Sequence, residues 1–345
     1  MRDELLSADR DPDIDDVEVE VEAGLRPRRL DEFVGQAELK GHLRVMLEAA
    51  RRRGQAADHF LFAGPPGLGK TTLAHIVAAE MAAEMHVTSG PALERAGDLA
   101  AILTKLEPGD VLFIDEIHRL STNIEEYMYS AMEDFYIDIV LDQGAGSRSI
   151  RLDIRPFTLI GATTREGMIS SPLRSRFGMK VRLDYYPAEV LQVIVERSAG
   201  ILKIPTEPDA AFEIARRCRG TPRIANNLLR WVRDYAQIKA NNEINVDTAI
   251  AALEMLEIDY DGLDDMDNRY LEALLHKFDG GPVGIKNLAI ALGEEVGTLE
   301  EVYEPFLIQE GFVQRTPQGR AATGKAAERF GVNMRRKPSD QPDLL

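Results

Sequence analysis

The sequence predicts an α/β protein in which a parallel sheet, covered by helices on both faces, is followed by a small helical domain and a third, mixed unit. Three observations carry this. Short apolar runs at residues 60–62, 111–114 and 157–160 are separated by segments long enough for helices, the alternation expected when a parallel sheet is buried on both faces. The first run leads straight into the glycine-rich stretch at residues 64–71. After Tyr185-Tyr186-Pro187 the strand signal stops, and Ile224, Leu228, Val232 and Tyr235 recur at helical spacing.

A length of 345 residues suits two or three domains, and 44% apolar with 29% charged residues excludes wholesale disorder. Residues 1–22 hold ten acids and two bases, net −8, without apolar periodicity, so residues 1–23 read as an acidic flexible tail. Residues 24–184 form the α/β domain and 185–258 the helical domain. The acid-rich stretch at 259–267 reads as a linker opening the third unit, 259–334, and 335–345 as a second flexible tail. That third unit begins with an amphipathic helix carrying Tyr270, Leu271, Leu274, Leu275 and Phe278. Two more helical stretches follow, then a strand, a Pro-Gln-Gly turn and a basic return strand at residues 311–320, the pattern of a winged helix.

The net charge of −17 argues against coating DNA by bulk electrostatics. Residues 311–337 nonetheless carry seven Lys or Arg against one Glu, so nucleic-acid binding through one small domain is compatible with the composition. Neither a membrane span nor an export signal is expected, and the cytoplasm is the default compartment. Cys218 is the only cysteine and shares helical spacing with Ala211, Ile214 and Ala215, so it reads as a core residue.

Residues 64–71, Gly-Pro-Pro-Gly-Leu-Gly-Lys-Thr, match the phosphate-binding loop pattern. Such a loop needs inward main-chain N–H groups, a cation for the β- and γ-phosphates and a hydroxyl for Mg²⁺, which Gly67, Gly69, Lys70 and Thr71 supply. The run at 111–114 ends in Asp115-Glu116, two carboxylates at the sheet edge where open α/β folds bind ligands. In that place Asp115 suits Mg²⁺ and Glu116 suits the attacking water. Thr163-Thr164 end another short strand. Arg174 and Arg176 follow a proline turn, and on composition alone they read as surface arginines. Thr221-Pro222 begins a helix, which puts Arg223 in a first turn that already carries positive dipole charge. Such a cation is favourable only beside an anion, either a bound phosphate or a carboxylate, unless it bends into solvent.

In this order the glycine loop, Asp115-Glu116, the paired threonines, Arg176 and Arg223 resemble the AAA+ ATPases. The likeness is closer to the RuvB family, the bacterial motors of Holliday-junction branch migration, through residues 25–27, 64–71, 112–119, 148–152, 161–165, 171–178, 220–226 and 314–320. It spans about residues 24–333. The resemblance implies an α/β P-loop AAA+ domain with helices on both faces of a parallel sheet, then a small helical lid and a winged-helix head. It implies ATP and Mg²⁺, with Lys70 and Thr71 on phosphate and metal, Thr72 on the α-phosphate side, and Leu25, Arg26 and Tyr186 around base and sugar. Thr164 becomes the first sensor with Thr163 close behind, Arg223 the second sensor, and Arg176 a finger reaching the neighbouring subunit's site. The implied assembly is a homohexamer around double-stranded DNA at Holliday junctions. RuvA docks on a hairpin at about residues 137–154 through Ile137, Ile139 and Ile150, and the RuvC resolvase joins the same complex. Arg315 and Arg320 fall on DNA phosphates. The chain departs from the pattern at Val296, where many relatives carry arginine. Two rival classes are a clamp-loader-like switch, whose last domain is usually a helical collar, and a DNA-binding regulator, which has no need of Glu116 or Arg176.

Overall fold

The computed structural model describes residues 24–140 and 149–332. Both expected tails and the tip of the expected hairpin lie outside those residues. The described residues form two compact units, 24–202 with 220–226, and 203–219 with 227–332.

The first unit opens with a 3₁₀ turn at Leu30–Glu32 and helix α1 at Ala37–Arg53. Leu39, Leu43, Leu47 and Ala50 make its buried stripe, and Arg51, Arg52 and Arg53 in the last turn complement the negative end of the helix dipole. Then follow β1 (Phe60–Ala63), α2 (Lys70–Met81), β2 (Met85–Ser89), α3 (Ala96–Leu103), β3 (Val111–Asp115) and α4 (Thr122–Glu133). Strands β4 (Tyr136–Val140) and β5 (Ser149–Asp153) form a separate antiparallel hairpin. Strand β6 (Thr158–Thr163), α5 (Ser171–Ser175), β7 (Met179–Arg182) and α6 (Ala188–Leu202) complete the unit.

The main sheet is all parallel in the order β2-β3-β6-β1-β7. Every residue of β1 and β6 is buried, so neither strand shows the alternation of a half-exposed one, and β1 is apolar throughout. The order makes β6 the neighbour of both β1 and β3. Their carboxyl ends therefore converge, with Ala63 opposite Thr163 and Ile114 opposite Gly161.

In the second unit, α7 (Pro208–Arg216), most of α8 (Pro222–Lys239) and α9 (Val246–Met255) precede α10 (Asp265–Glu272). Helix α10 runs into a π turn at Ala273–Lys277. After α11 (Ile285–Leu292), α12 (Val296–Thr298) and α13 (Glu304–Gln309), strands β8 (Val313–Thr316) and β9 (Gly319–Ala322) form the expected antiparallel wing, followed by α14 (Gly324–Arg329). Gly319 sits at φ 137° with its α-carbon against the Val283 carbonyl, where an added methyl would meet that oxygen at 2.2 Å. Only glycine lets the wing pack this closely.

Two expectations are sharpened here. Cys218 is fully buried, its thiol pushed up by burial and donating to the Ile214 carbonyl at 2.9 Å, as a core residue should. The stretch at 259–267 is no simple linker. Asp264 and Asp267 are 4% and 0% exposed and both bind Arg219, so acids that looked solvated in sequence are buried partners of a distant cation. Among the described residues no helix is long and apolar enough to cross a membrane.

Candidate functional site

The loop between β1 and α2 is shaped by the strand before it. Gly64 adopts φ 143° and its main-chain N–H donates to Thr163 O at 3.1 Å. A methyl there would stand 2.3 Å from Leu183 O, so the loop can leave the sheet at this point only as glycine. Gly67 and Gly69 also have positive φ, and Gly69 caps α2 without any side-chain acceptor. The first turn of α2 thus presents main-chain N–H groups and dipole charge with no side chain capping them. Thr71 and Thr72 lie in that turn.

The Lys70 ammonium folds back over the loop, donating to Gly64 O at 2.7 Å and Pro65 O at 2.8 Å. Burial lowers its pKa to about 8, against the opposing pull of the Glu116 and Asp115 carboxylates, and the Arg223 guanidinium lowers it further. Arg223 opens α8, where its N–H donates to Gly67 O at 3.4 Å. Lys70, Arg223 and the Asp115–Glu116 carboxylates therefore lie within electrostatic reach of one another beside the glycine loop.

That pKa has a measurable consequence. A polyphosphate in the loop favours the ammonium form, so Lys70's pKa rises on binding and binding takes up a proton once free Lys70 begins to lose it. Nucleotide affinity is expected to hold level below about pH 7 and to fall by up to about tenfold per pH unit above about pH 8. Fluorescent-nucleotide titration across that range checks it. A Lys70→Arg protein should lose the slope, and a level profile in the unaltered chain would contradict the assignment.

The acid pair stands beside this loop. Asp115 ends β3, and Glu116 turns into the left-handed region at φ 47°, its N–H donating to Asp115 Oδ1 at 3.0 Å. The Glu116 carboxylate is tied to the end of β6. Its Oε2 accepts from Thr164 Oγ1 at 3.2 Å and lies 3.0 Å from His118 Nδ1. Thr163 is fully buried, 3.0 Å from the same His118 nitrogen. Thr164 is thus the threonine that meets the carboxylate. Sequence reasoning did not place His118 in the site, yet the 3₁₀ turn at Ile117–Arg119 folds it back there. The Asp-Glu-Ile-His spacing was the available signal.

Other expected residues are placed around this cluster. Leu25 and Tyr186 are 1% and 6% exposed, packed into the domain rather than presented on it. Leu25 O accepts from Arg197 Nη1 at 2.7 Å, while burial pushes the Tyr186 hydroxyl up to about 12. Arg26 lies near enough to His75 of α2 to depress its pKa, after the larger effect of burial.

Arg176 is not brought to this cluster. Its guanidinium lies 4.5 Å from the Tyr129 ring centre and donates to Pro172 O at 2.8 Å and to Glu133 at 3.1 Å, all on or next to α4 and α5.

On the hairpin, Ile137, Ile139 and Ile150 do not share one environment. Ile137 pairs with Leu152 and is 1% exposed, Ile139 is half-buried, and Ile150 is 46% exposed. Ile137 and Ile139 occupy the same face, so depth along the strand decides. The inner end anchors the hairpin and only the outer end is free for contact, which corrects the expectation for Ile137.

One of the two wing arginines, Arg320, also differs from expectation. Arg315 and Arg320 pair across β8 and β9, and both bind Glu304, which is fully buried. Arg320 also binds Glu300 and has a side chain only 13% exposed, so it is an anchor of the fold rather than a ready phosphate contact. Arg315 remains half-exposed. Glu304, which sequence reasoning missed, also accepts from the Tyr270 hydroxyl at 2.9 Å. Val296 packs against the apolar core of this unit.

A glycine loop opening a helix at the carboxyl edge of a parallel sheet, with an acid pair on a neighbouring strand and a helical segment bearing Arg223, defines a P-loop ATPase of the AAA+ class. Family profiles divide the chain without overlap. The Holliday junction DNA helicase RuvB P-loop domain matches residues 25–183, the RuvB AAA lid domain 186–259 and the RuvB C-terminal winged helix domain 260–331. The chain belongs to the RuvB family. It is 56% identical over 344 residues to the Holliday junction branch migration complex subunit RuvB of Salinibacter ruber, covering 100% of this chain and 98% of that protein. Its counterpart from Prosthecochloris aestuarii is 58% identical over 330 residues, covering 96% and 95%. The Thermotoga maritima RuvB Holliday junction branch migration motor superposes with a TM-score of 0.81 at 51% identity, covering 90% of this chain and 99% of that structure.

Proposed function

We propose that this protein is an ATP-driven DNA translocase that moves the branch point of Holliday junctions, working as a homohexamer around duplex DNA with RuvA and, in the same complex, RuvC. The observation that carries this reading is the unbroken succession of the three RuvB family domains, which joins motor and winged-helix head on one chain. We take the division at residues 24–184, 185–258 and 259–334 as the working domain boundaries and the cytoplasm as the place of action. A clamp-loader-like switch is disfavoured by the winged-helix ending.

The donor set fits ATP and Mg²⁺. A hydroxyl at Thr71 and a carboxylate at Asp115 are hard oxygen ligands, few enough to leave positions for water and phosphate, and Lys70 supplies a cation at the glycine loop. Bound there, Mg²⁺ would neutralise charge on the β- and γ-phosphate oxygens. Lys70 and the first turn of α2 hold the phosphates, with Thr72 on the α-phosphate side and Leu25, Arg26 and Tyr186 shaping the base end. Glu116 orients water and accepts its proton as the oxygen bonds to the γ-phosphorus and the bond to the bridging oxygen breaks, leaving ADP and phosphate. Thr164 meets the γ-phosphate, and Arg223 reports occupancy to the helix it opens. Arg176 acts on a neighbour's nucleotide, a reading supported by its bonds to α4 and α5 instead of its own glycine loop. Arg315, half-exposed on the wing, meets DNA phosphate, a contact that positions the duplex without reading sequence.

The deciding experiment is branch migration of a synthetic four-way junction with ATP and the junction-binding partner. ATP-dependent conversion to duplex products is expected. Robust ATP hydrolysis with no movement of the branch point would refute the motor reading and favour the switch.

RuvA docking on the outer end of the hairpin can be tested separately. Ile150→Asp should weaken partner binding by about 30-fold, as loss of an interface anchor worth about 2 kcal/mol does, with little change in melting temperature. Ile137→Asp should instead destabilise the domain, because it places a charge in the core.

A further inference from the structure

We propose that His118 is a positioning residue for hydrolysis, fixing the Glu116 carboxylate against the end of β6. The proposal rests on the reading of Glu116 as the group that orients water. It starts from one nitrogen with two neighbours: His118 Nδ1 stands 3.0 Å from Glu116 Oε2 and 3.0 Å from Thr163 Oγ1. A carboxylate oxygen is attracted to that nitrogen only when it carries the proton, so the contact assigns the Nδ1–H tautomer, donating to both oxygens.

The ring is well suited to this work. Its side chain is 6% exposed and it follows Glu116 by two residues in a tight turn, so it has little room to swing. Beside the same nitrogen, Thr163 is fully buried at the end of a central strand and accepts from the Arg165 N–H at 3.0 Å. A continuous set of bonds thus runs from the β6 terminus through Thr163 and His118 to Glu116. Glutamate has a long side chain with several rotamers, and holding it in one costs conformational freedom that a fixed donor offsets. Thr164 donates to the same Oε2 at 3.2 Å, but through an exposed hydroxyl that can turn towards a phosphate. With two donors converging on Oε2, Oε1 is the oxygen left to face water, and His118 keeps it there when Thr164 turns.

The test compares three replacements in the full-length chain. His118→Phe keeps a flat ring and removes the donor, and kcat should fall about 10²-fold, the scale of a catalytic group displaced by about 1 Å, with nucleotide Kd and melting temperature unchanged. His118→Asn puts an amide N–H near the Nδ1 position and should recover most of the loss. His118→Gln reaches to the Nε2 position and should not. In single-turnover reactions on a Glu116→Gln background, adding His118→Phe should cost nothing further, because the residue it positions is already disabled. Undiminished kcat in His118→Phe, equal activity of the Asn and Gln proteins, or a full extra loss on the Glu116→Gln background would each overturn the proposal. A Glu116→Gln protein that turns over normally would instead strike the reading of Glu116 itself and take this one with it.

Discussion

An Arg176→Ala protein is expected to bind nucleotide with unchanged affinity and to hydrolyse it about 10³ to 10⁵ times more slowly, the worth of a guanidinium that meets transition-state charge from a neighbouring subunit. The geometry sets the terms. Arg176 is held by Tyr129, Glu133 and Pro172 and makes no bond to the loop at residues 64–69 or to Asp115 and Glu116, so its removal leaves its own chain's cradle intact. Steady-state ATPase rates and nucleotide titration, measured on the same preparation, separate the two effects. Mixing Arg176→Ala with Glu116→Gln chains should restore part of the turnover, because some interfaces then combine an intact acid with an intact arginine. Arg176→Lys should stay slow, since a single ammonium cannot reproduce the planar fork. Full activity of the alanine protein would end the intersubunit account.

Replacing Arg219 should have the largest effect on stability. Its guanidinium is 4% exposed and binds Asp267 at 2.5 Å, Asp264 at 2.8 Å and Gly262 O at 3.2 Å. Arg219→Met strands two buried carboxylates, and a loss of about 3–5 kcal/mol is expected, read as an unfolding midpoint about 10–20 °C lower. The site also predicts a pH dependence. Burial raises the Asp267 pKa to about 7, the nearby Asp264 charge adds to the rise, and Arg219 opposes it. Among the described residues Asp267 Oδ1 finds no hydrogen-bond partner to offset its desolvation. A folded value above the unfolded one means that the folded state holds the extra proton. The resulting stabilisation is complete below about pH 4 and is lost, by about 1.4 kcal/mol per unit, as pH rises through about 7. Asp267→Asn should remove that slope in denaturant titrations, while a slope of opposite sign would contradict the assignment.

Much of the ATPase site was legible in sequence because its parts are local. Residues 64–71 sit between a strand and a helix wherever the chain folds, and Asp115-Glu116 end a strand that is apolar throughout. The threonine that meets Glu116 was harder to choose, since Thr163 and Thr164 are adjacent and alike. The end of β6 settled it: Thr163, its last residue, is fully buried, while Thr164, just past the strand, is exposed and meets the carboxylate. His118 was passed over because the Asp-Glu-Ile-His spacing does not by itself state that a tight turn returns the ring to Glu116.

The sequence alone determined three of the five sheet strands, the phosphate cradle, the acid pair and the winged-helix ending, because propensity, periodicity and turn chemistry act between residues close together in the chain. Only the tertiary structure decided what each charge faces. Arg320 was expected on DNA phosphate until Glu304, 16 residues away and fully buried, proved to hold it. Asp267 looked like linker until Arg219, 48 residues away, reached it. Coulombic attraction and desolvation act over a few ångströms of space regardless of chain separation, so they are settled only when the chain has folded.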